Sequence, residues 1–511
     1  MDYGAIGDGK HYNTPHIQAA IDDCHAAGGG SVRFPAGNYL TGTIYLRSGV
    51  VLYITENATI LGGTRLKDYP LESRKWYVVL AEKATNVGIT GEAGIIDGQG
   101  GKFVEKMDER KNVMVSWNRT GACYGDKCRP KLVGFFDCQN VTVSDVILSE
   151  PAYWKCVLIT HLSSISSFFS LSLLAKSNAT ELETQHGVVL STWIPRPTRW
   201  WFPSLSYHRS GGVPTLWVGL IPWLHAPTHT DPNMQLGDFN IPKNNGVYIQ
   251  DSNNTVIKDC LIDNGGHAII LKAHTGTVHN LKVIQSELRT RSSAIKLESH
   301  SGFGFKGLLF DHINVMDSHQ GLTLQIHDGG SASDITFSNI EINTDYNFPM
   351  WWKRSEPIYV MTCPVPPHDL NSKVLGGGGS VTNLQFINIS SHSEEGVFLS
   401  GSSEGVLSNL KFINVNLTYY RRQPTKDSKE YVLVDCRRRG CRLGDDHDDD
   451  VVCQSMAGMV MENIDGLQIE NMKMRWNKSE QYLKGWNVRA LDFSPSTVNN
   501  ISLLSFSSGF I

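Results

Sequence analysis

The chain has almost no excess of charge of either sign: 50 acidic residues stand against 46 basic ones, a formal net charge of -4. That excludes the global field by which a protein gathers nucleic acid or an anionic membrane surface, so neither is expected as a partner. A charged ligand has to be met by a local patch. Amphipathic helical patterns are scarce too. In their place are many short β-branched runs separated by turn residues, with 48 glycines in the whole chain, which point to an all-β protein. One uncharged stretch, 156–175, is long enough to cross a bilayer, but its six serines and His161 argue against a membrane span. Also missing is a charged-then-apolar leader, since Met1 runs straight into DYGAIGDG. Ten cysteines and nine Asn-X-Ser/Thr sequons (Asn57, Asn118, Asn140, Asn178, Asn253, Asn388, Asn416, Asn477 and Asn500) nevertheless favour secretion. A secreted protein whose leader is absent from this chain is expected.

The pairs Cys123/Cys128 and Cys436/Cys441 share a spacing that suits small disulfide loops or half of a zinc site. Disulfides are favoured, because no nearby Cys/His pair completes four ligands. No metal and no cofactor is expected. The acidic run 445–450 could collect Ca²⁺, but such a run is more often a solvated loop.

Repetition is abundant. A phrase of Asn or another small polar residue followed by apolar, polar, apolar recurs at Asn140, Asn254, Asn280, Gly307, Asp334, Asn383, Asn409 and Gly466. From Asn254 the starts lie 26, 27, 27, 49, 26 and 57 residues apart, so the long gaps are near two periods and fit one coil plus an insertion. A period in the mid-twenties made of short strands, with no helix between them, fits a parallel β-helix better than a helical solenoid or a propeller. A leucine-rich repeat is weakened by the absence of its Leu spacing. Each coil should stack on the next at roughly 4.8 Å, with inward Val, Ile, Leu and Phe forming ladders.

One domain over 1–511 is therefore expected, with 1–62 as a cap and first strands. Thr14 and Pro15 start a helix whose Ile17, Ala20, Ile21 and Cys24 share a face, and Gly28, Gly29 and Gly30 stop it. Such a helix would shield the open end of the stack. The segment 161–236 breaks the pattern: its later part alone holds five of the twelve tryptophans. It reads as an atypical insertion, either a substrate-gripping aromatic loop or a translated intron.

The opening DYGAIGDGKHYNTPHIQAAIDDCHAAGGGSVRFPAGNYLTG, the stretch DFNIPKNNGV, the coil phrases and WWKRSEPIYV resemble polygalacturonases of glycoside hydrolase family 28, of plant type. The likeness covers almost the whole chain outside 161–236. It implies a right-handed, single-stranded parallel β-helix of the pectin lyase kind with an N-terminal capping helix. It also implies a pectic substrate such as 1,4-linked α-galacturonan, hydrolysis with inversion, secretion toward a cell wall, and a chain acting as a monomer.

Inverting hydrolysis needs one acid to protonate the leaving oxygen and a second to activate water across roughly 6.5–9.5 Å. The family's Asn-Thr-Asp motif falls here on Lys243, Asn244 and Asn245, and its Gly-Asp-Asp motif on Gly265, Gly266 and His267. Gly-His-Gly falls on Ser292, Ser293 and Ala294, and Arg-Ile-Lys on Thr323, Leu324 and Gln325. The acid positions are thus Asn245, Gly266 and His267, 22 and 26 residues from their counterparts on neighbouring coils (245 to 267, 267 to 293). An imidazole with an ordinary pKa near 6.5 could move a proton but does not replace a carboxylate pair, and an imidazole sitting idle in a turn is an equal reading of His267.

Asp251, Asp259, Asp263 and Glu298 are the nearby carboxylates. Asp259 and Asp263 read as turn residues, whereas Glu298 should share a strand face with Lys296. Lys243, Lys272, His274 and Lys296 supply cations, and with Ser293 they make a surface suited to polyuronate carboxylates. Each lysine could equally be a solvated side chain, with Lys296 and then Lys272 the best functional candidates. Trp351, Trp352 and Arg354 are either packing or groove wall. Two functions follow: a pectin-directed hydrolase, or a non-catalytic β-helix binding acidic polysaccharide. Lyase chemistry is a weaker third, lacking an identifiable Ca²⁺ site and strong base.

Overall fold

The computed structural model describes residues 3–160 except 109–112, 117–118, 121–122 and 125–128; 244–345 except 300, 301 and 328; 355–362; 378–420 except 402–404 and 406; and 457–476. It also describes the strands Phe169–Leu173, Ser206–Ser210, Val213–Trp217, Val434–Arg438, Val451–Ser455, Asn487–Ala490 and Ser496–Ser505. Lys243, Trp351, Trp352, Arg354, Cys128, Cys441 and the acidic run 445–450 lie outside the described residues. The chain divides into Met1–Ser177 with Asp238–Ile511, and a separate unit Asn178–Gly237. In the latter, Ser206–Ser210 and Val213–Trp217 form an antiparallel hairpin.

The main unit is a parallel β-helix. Among the described residues, successive coils feed one sheet of eighteen strands and a second of twelve, and the pairing between coils is parallel throughout both. In the first sheet each coil is bent. Thr255–Lys258 pairs with the first half of Val278–Thr290 and Leu261–Asn264 with its second half. The bend has a backbone cause. All eight residues that open the recurrent phrase have positive φ, from 52° at Asn140 and Asn280 to 75° at Gly466. A second positive-φ residue follows each by five positions: Asp145, Asp259, Gln285, His312, Asn339, Asn388, Asn414 and Asn471. Left-handed backbone is open to Gly and tolerable for Asn and Asp, which is why the repeat is written in those letters.

Side chains at these bends join coil to coil. Asn280 Nδ2 donates to Asn254 Oδ1 at 2.7 Å, Asn388 to Asn339 at 3.0 Å, Asn414 to Asn388 at 3.1 Å and Asn471 to Asn414 at 3.0 Å. Inside, the register aligns Val283, Phe310, Phe337, Phe386, Phe412 and Ile469 in one buried column. Its phenyl rings stack at centroid separations of 4.7, 5.4 and 4.8 Å. Stacked aromatic pairs add about 0.5–1.5 kcal/mol each beyond area burial.

The helix Thr14–Ala26 buries Ile17, Ala20 and Ile21, while Cys24 is only partly buried. Asn13, not Thr14, occupies the N-cap position, and its side chain is spent on Ile6 and His11 instead of the helix. Gln18 on this helix donates to the Tyr45 carbonyl at 3.0 Å and accepts its N–H at 2.8 Å. Tyr45 belongs to Ile44–Leu46, the terminal strand of the second sheet, so one glutamine satisfies backbone groups at its open edge. Within the segment expected to be an insertion, Phe169–Leu173 pairs parallel with Gln139–Ser149 and Thr255–Lys258, so the coil runs on into it. No helix among the described residues is long and apolar enough to cross a membrane.

Candidate functional site

The second sheet carries the site. In register, Tyr248, Ile270, Lys296, Thr323 and Tyr359 form one column, and Gln250, Lys272, Glu298, Gln325 and Met361 the next. These alternate with Val247, Ile249, Ile269, Leu271, Ile295 and Leu297, which point into the main core. Tyr248 and Ile270 belong to a separate cluster with Tyr77, Leu80 and Val157, and Tyr359 to another with Phe398 and Val460, which marks this as the outward face. Between those two apolar patches lies a charged window.

Within the window Lys272 Nζ and Lys296 Nζ each stand 3.5 Å from the same carboxylate oxygen of Glu298. The sharing of a strand face by Lys296 and Glu298 is thus realised. The side chains are 26%, 14% and 18% exposed for Lys272, Lys296 and Glu298, a partly desolvated group of two cations and one anion. Burial lowers the Lys296 ammonium below the ordinary lysine range, with Glu298 opposing the shift.

The motif positions meet at the turns that lead into these strands. The His267 N–H donates to Asn245 Oδ1 at 2.8 Å, and the Gly246 N–H to the His267 carbonyl at 2.9 Å. On the far side, the Ser293 N–H (3.3 Å) and the Ser292 hydroxyl (3.0 Å) face His267 Nδ1. A backbone donor at Nδ1 makes that nitrogen the acceptor, leaving the proton on Nε2. Burial, reinforced by Lys296, pushes the His267 imidazole down to about 3. The proton-transfer role that an ordinary pKa would allow is therefore corrected: at neutral pH this ring is a neutral Nε2–H donor. Nor is it an idle surface group.

Gly266 is held just as closely. A Cβ there would lie 2.5 Å from Asn245 Oδ1 and 2.9 Å from its backbone nitrogen. Asn244, which is fully buried, accepts from the Gly265 N–H at 2.5 Å and the Gly266 N–H at 3.2 Å. Asn264 Nδ2 reaches the carbonyls of Asn244, Gly266 and His267 at 2.8–2.9 Å. Sequence reasoning missed these two asparagines as clamps. Their one signal is that Asn264 immediately precedes the Gly265-Gly266 pair and Asn244 precedes it by about one coil.

Ser293 extends the polar column away from the charged window. Its hydroxyl donates to Gln320 Oε1 at 2.9 Å, and Gln320 Nε2 donates to Glu356 Oε2 at 2.9 Å. Of the other carboxylates, Asp251 accepts the N–H groups of His274 (2.7 Å), Thr275 (3.1 Å) and Gly276 (3.1 Å) and the Thr275 hydroxyl (2.7 Å). Asp259 has φ 52° and lies 3.5 Å from Lys258, and Asp263 pairs with Arg289 at 3.4 Å. All four carboxylates are engaged: three hold turns and coil contacts, and Glu298 sits between lysines. Chemically, the arrangement can present two ammonium groups and an imidazole N–H to an anion.

Parallel β-helices of this build are a defined class, and within it the chain is similar to polygalacturonases. The exo-poly-alpha-D-galacturonosidase of Dickeya chrysanthemi is 25% identical over 365 residues, 66% of this chain and 53% of that protein. A probable polygalacturonase of Vitis vinifera is 26% identical over 172 residues, 30% of this chain and 32% of that one. The chain thus spans about half or less of the length of these curated relatives. Among solved structures, a family 28 exopolygalacturonase of Yersinia enterocolitica superposes with a TM-score of 0.55 at 16% identity, covering 98% of this chain and 77% of that one. That shows a shared fold. No protein-family model matches the chain.

Proposed function

We propose that this chain is a polygalacturonase-like β-helix that binds pectic polyuronate on the outward face of its second sheet and no longer hydrolyses it. The observation that carries this reading is the packing of Asn245, Gly266 and His267 into each other, where a glycosidase of this type would place its acids, beside the Lys272–Glu298–Lys296 cluster. Galacturonate carboxylates would pair with the two ammonium groups through charge-assisted hydrogen bonds and accept from His267 Nε2–H. Lys243 is assigned to the same surface, whereas Ser293, expected there too, is buried with its hydroxyl donated to Gln320. Secretion and a monomeric state complete the reading, and the exposed sequons Asn57 and Asn416 suit glycosylation, whereas Asn253 is buried and accepts the His279 N–H.

Binding to polygalacturonate, followed by calorimetry at low and high salt, together with a reducing-end assay on the same protein, tests the proposal. Salt-sensitive binding without new reducing ends supports it. Appreciable release of reducing ends would refute the loss of hydrolysis. A surviving 1,4-α-galacturonan hydrolase is the second reading, favoured by one observation: the Glu298 carboxylate lies one rung from the coil of His267, between two lysines. The reducing-end assay with Glu298→Gln decides it.

A further inference from the structure

Ten cysteines are present, and among the described residues Cys24, Cys138 and Cys156 carry free thiols, while the Cys260 thiol donates to the Leu171 and Lys258 carbonyls. Cys138, Cys156 and Cys260 are buried, and burial raises the Cys138 thiol to about 11 and the Cys156 thiol to about 12, so these are packing residues of the coil interior. Cys123, Cys128, Cys363, Cys436, Cys441 and Cys453 remain. Among the described backbone, only one pair of these is placed opposite in a ladder. Val434–Arg438 runs antiparallel to Val451–Ser455, and the register aligns Cys436 with Cys453.

Directly opposite residues of an antiparallel pair share a face, with Cα atoms about 4.5–5.5 Å apart. That interval falls inside the span of about 4.4–6.8 Å over which a disulfide closes without moving the backbone. We propose that Cys436 and Cys453 form a cross-strand disulfide. The competing bridge, from Cys436 to Cys441, is disfavoured by the same backbone. Cys436, Arg437 and Arg438 are all extended, at about 3.3 Å per residue, and the register sets Cys453 directly opposite Cys436.

The chemistry is a thiol–disulfide exchange with a small-molecule disulfide such as oxidised glutathione. The Cys436 thiolate attacks one sulfur of the oxidant and expels one thiol. Cys453, as thiolate, then attacks the Cys436 sulfur of the mixed disulfide and expels the second. Two protons and two electrons leave the protein, and one oxidant disulfide becomes two thiols. The adjacent Arg437, Arg438 and Arg439 favour the thiolate of Cys436 and so make it the first attacker. The bond has a structural reason. This hairpin forms a two-stranded sheet of its own, outside both long sheets, and an isolated pair of strands is marginal in water. It departs from the coil after Leu407–Tyr419 and returns at Ala457–Glu462. A covalent link at the middle of the pair fixes two strands that neither long sheet supports.

Trypsin separates the three cysteines in question, because Arg437, Arg439 and Arg442 lie between them. The unaltered protein, equilibrated in oxidised and reduced glutathione, is alkylated, digested without reduction and weighed by mass spectrometry. Peptide 430–437 joined to 443–473 is the expected product, at the summed mass less two hydrogens, and dithiothreitol should release both. The same link should persist in Cys441→Ser and vanish in Cys453→Ser. Peptide 430–437 joined to 440–442 or to any other cysteine, or recovered with an alkyl label, overturns the proposal.

Discussion

The main-chain N–H of His267 donates to the side-chain oxygen of Asn245 at 2.8 Å, across 22 residues of sequence and one coil of the helix. The amide oxygen is thereby spent on holding the next coil's turn. Asn245→Ala removes the acceptor and leaves a poorly hydrated N–H, so unfolding free energy should fall by about 1–3 kcal/mol in urea titration. Asn245→Asp keeps an acceptor in place and should lose markedly less at neutral pH.

Gly266 has no room for a side chain. Gly266→Ala and Gly266→Asp should each destabilise the protein by about 1–3 kcal/mol, because the new Cβ meets Asn245 Oδ1 at 2.5 Å and main-chain atoms of Asn244 and Asn245 near 3 Å. Thermal melts of both variants check this. Equal losses for Ala and Asp identify sterics as the cause; a loss confined to Asp points to charge.

The His267 imidazole has a folded-state pKa of about 3, below its ordinary value of 6.5. The unfolded chain therefore binds the proton first as pH falls. The resulting stability is fully present above about pH 6.5 and is lost progressively between there and about pH 3, amounting to a few kcal/mol at most. His319, lowered to about 4 chiefly by burial, acts in the same sense. Unfolding measured from pH 7.5 to 4 should show a shallower acid decline in His267→Gln than in the unaltered protein. Nitrogen-15 spectra at pH 5 should show the ring neutral, with its proton on Nε2.

Lys296 and Lys272 converge on Glu298 at 3.5 Å each, and neutralising either reduces the positive character of the window. Lys296→Gln and Lys272→Gln should each weaken polygalacturonate binding five- to tenfold at low salt, about 1–1.4 kcal/mol. The double variant should lose most of the salt dependence, as calorimetry at two ionic strengths would show. Glu298→Gln should tighten binding instead.

Asp251 is 3% exposed and gathers the turn 274–276 of the following coil through three N–H groups and a hydroxyl. Asp251→Ala should cost about 3 kcal/mol or more by leaving those donors without an acceptor, and Asp251→Asn about half of that. Denaturant midpoints for the two variants test the ranking.

The coil phrase was legible because a left-handed bend restricts its residue to a few types, so Asn254, Asn280 and Asn383 announce it in the sequence. The second bend, five residues on, escaped notice because Gln285 and His312 occupy it as well, and their types carry no turn signal. The period also foretold that Asn245, His267 and Ser293 would meet. It could not foretell what they do together. The tautomer and depressed pKa of His267 come from Ser293, Lys296 and burial, which are supplied by other coils, and no local pattern around residue 267 encodes them. Likewise Asp251 reads in the sequence only as a nearby carboxylate, because the partners that define its role lie 23 to 25 residues away.

The amide ladders described above share a direction. In each of the links from Asn140 to Asn86, Asn280 to Asn254, Asn388 to Asn339, Asn414 to Asn388 and Asn471 to Asn414, the later coil donates and the earlier one accepts. Each of these asparagine rungs therefore carries an acceptor that can face forward and a donor that can face backward, whatever its number in the series. Excising a stretch between equivalent bends, such as Asn388 and Asn414, would rejoin matching ends. The molecule's length is thus a modular quantity, adjustable by whole coils, while its cross-section is not.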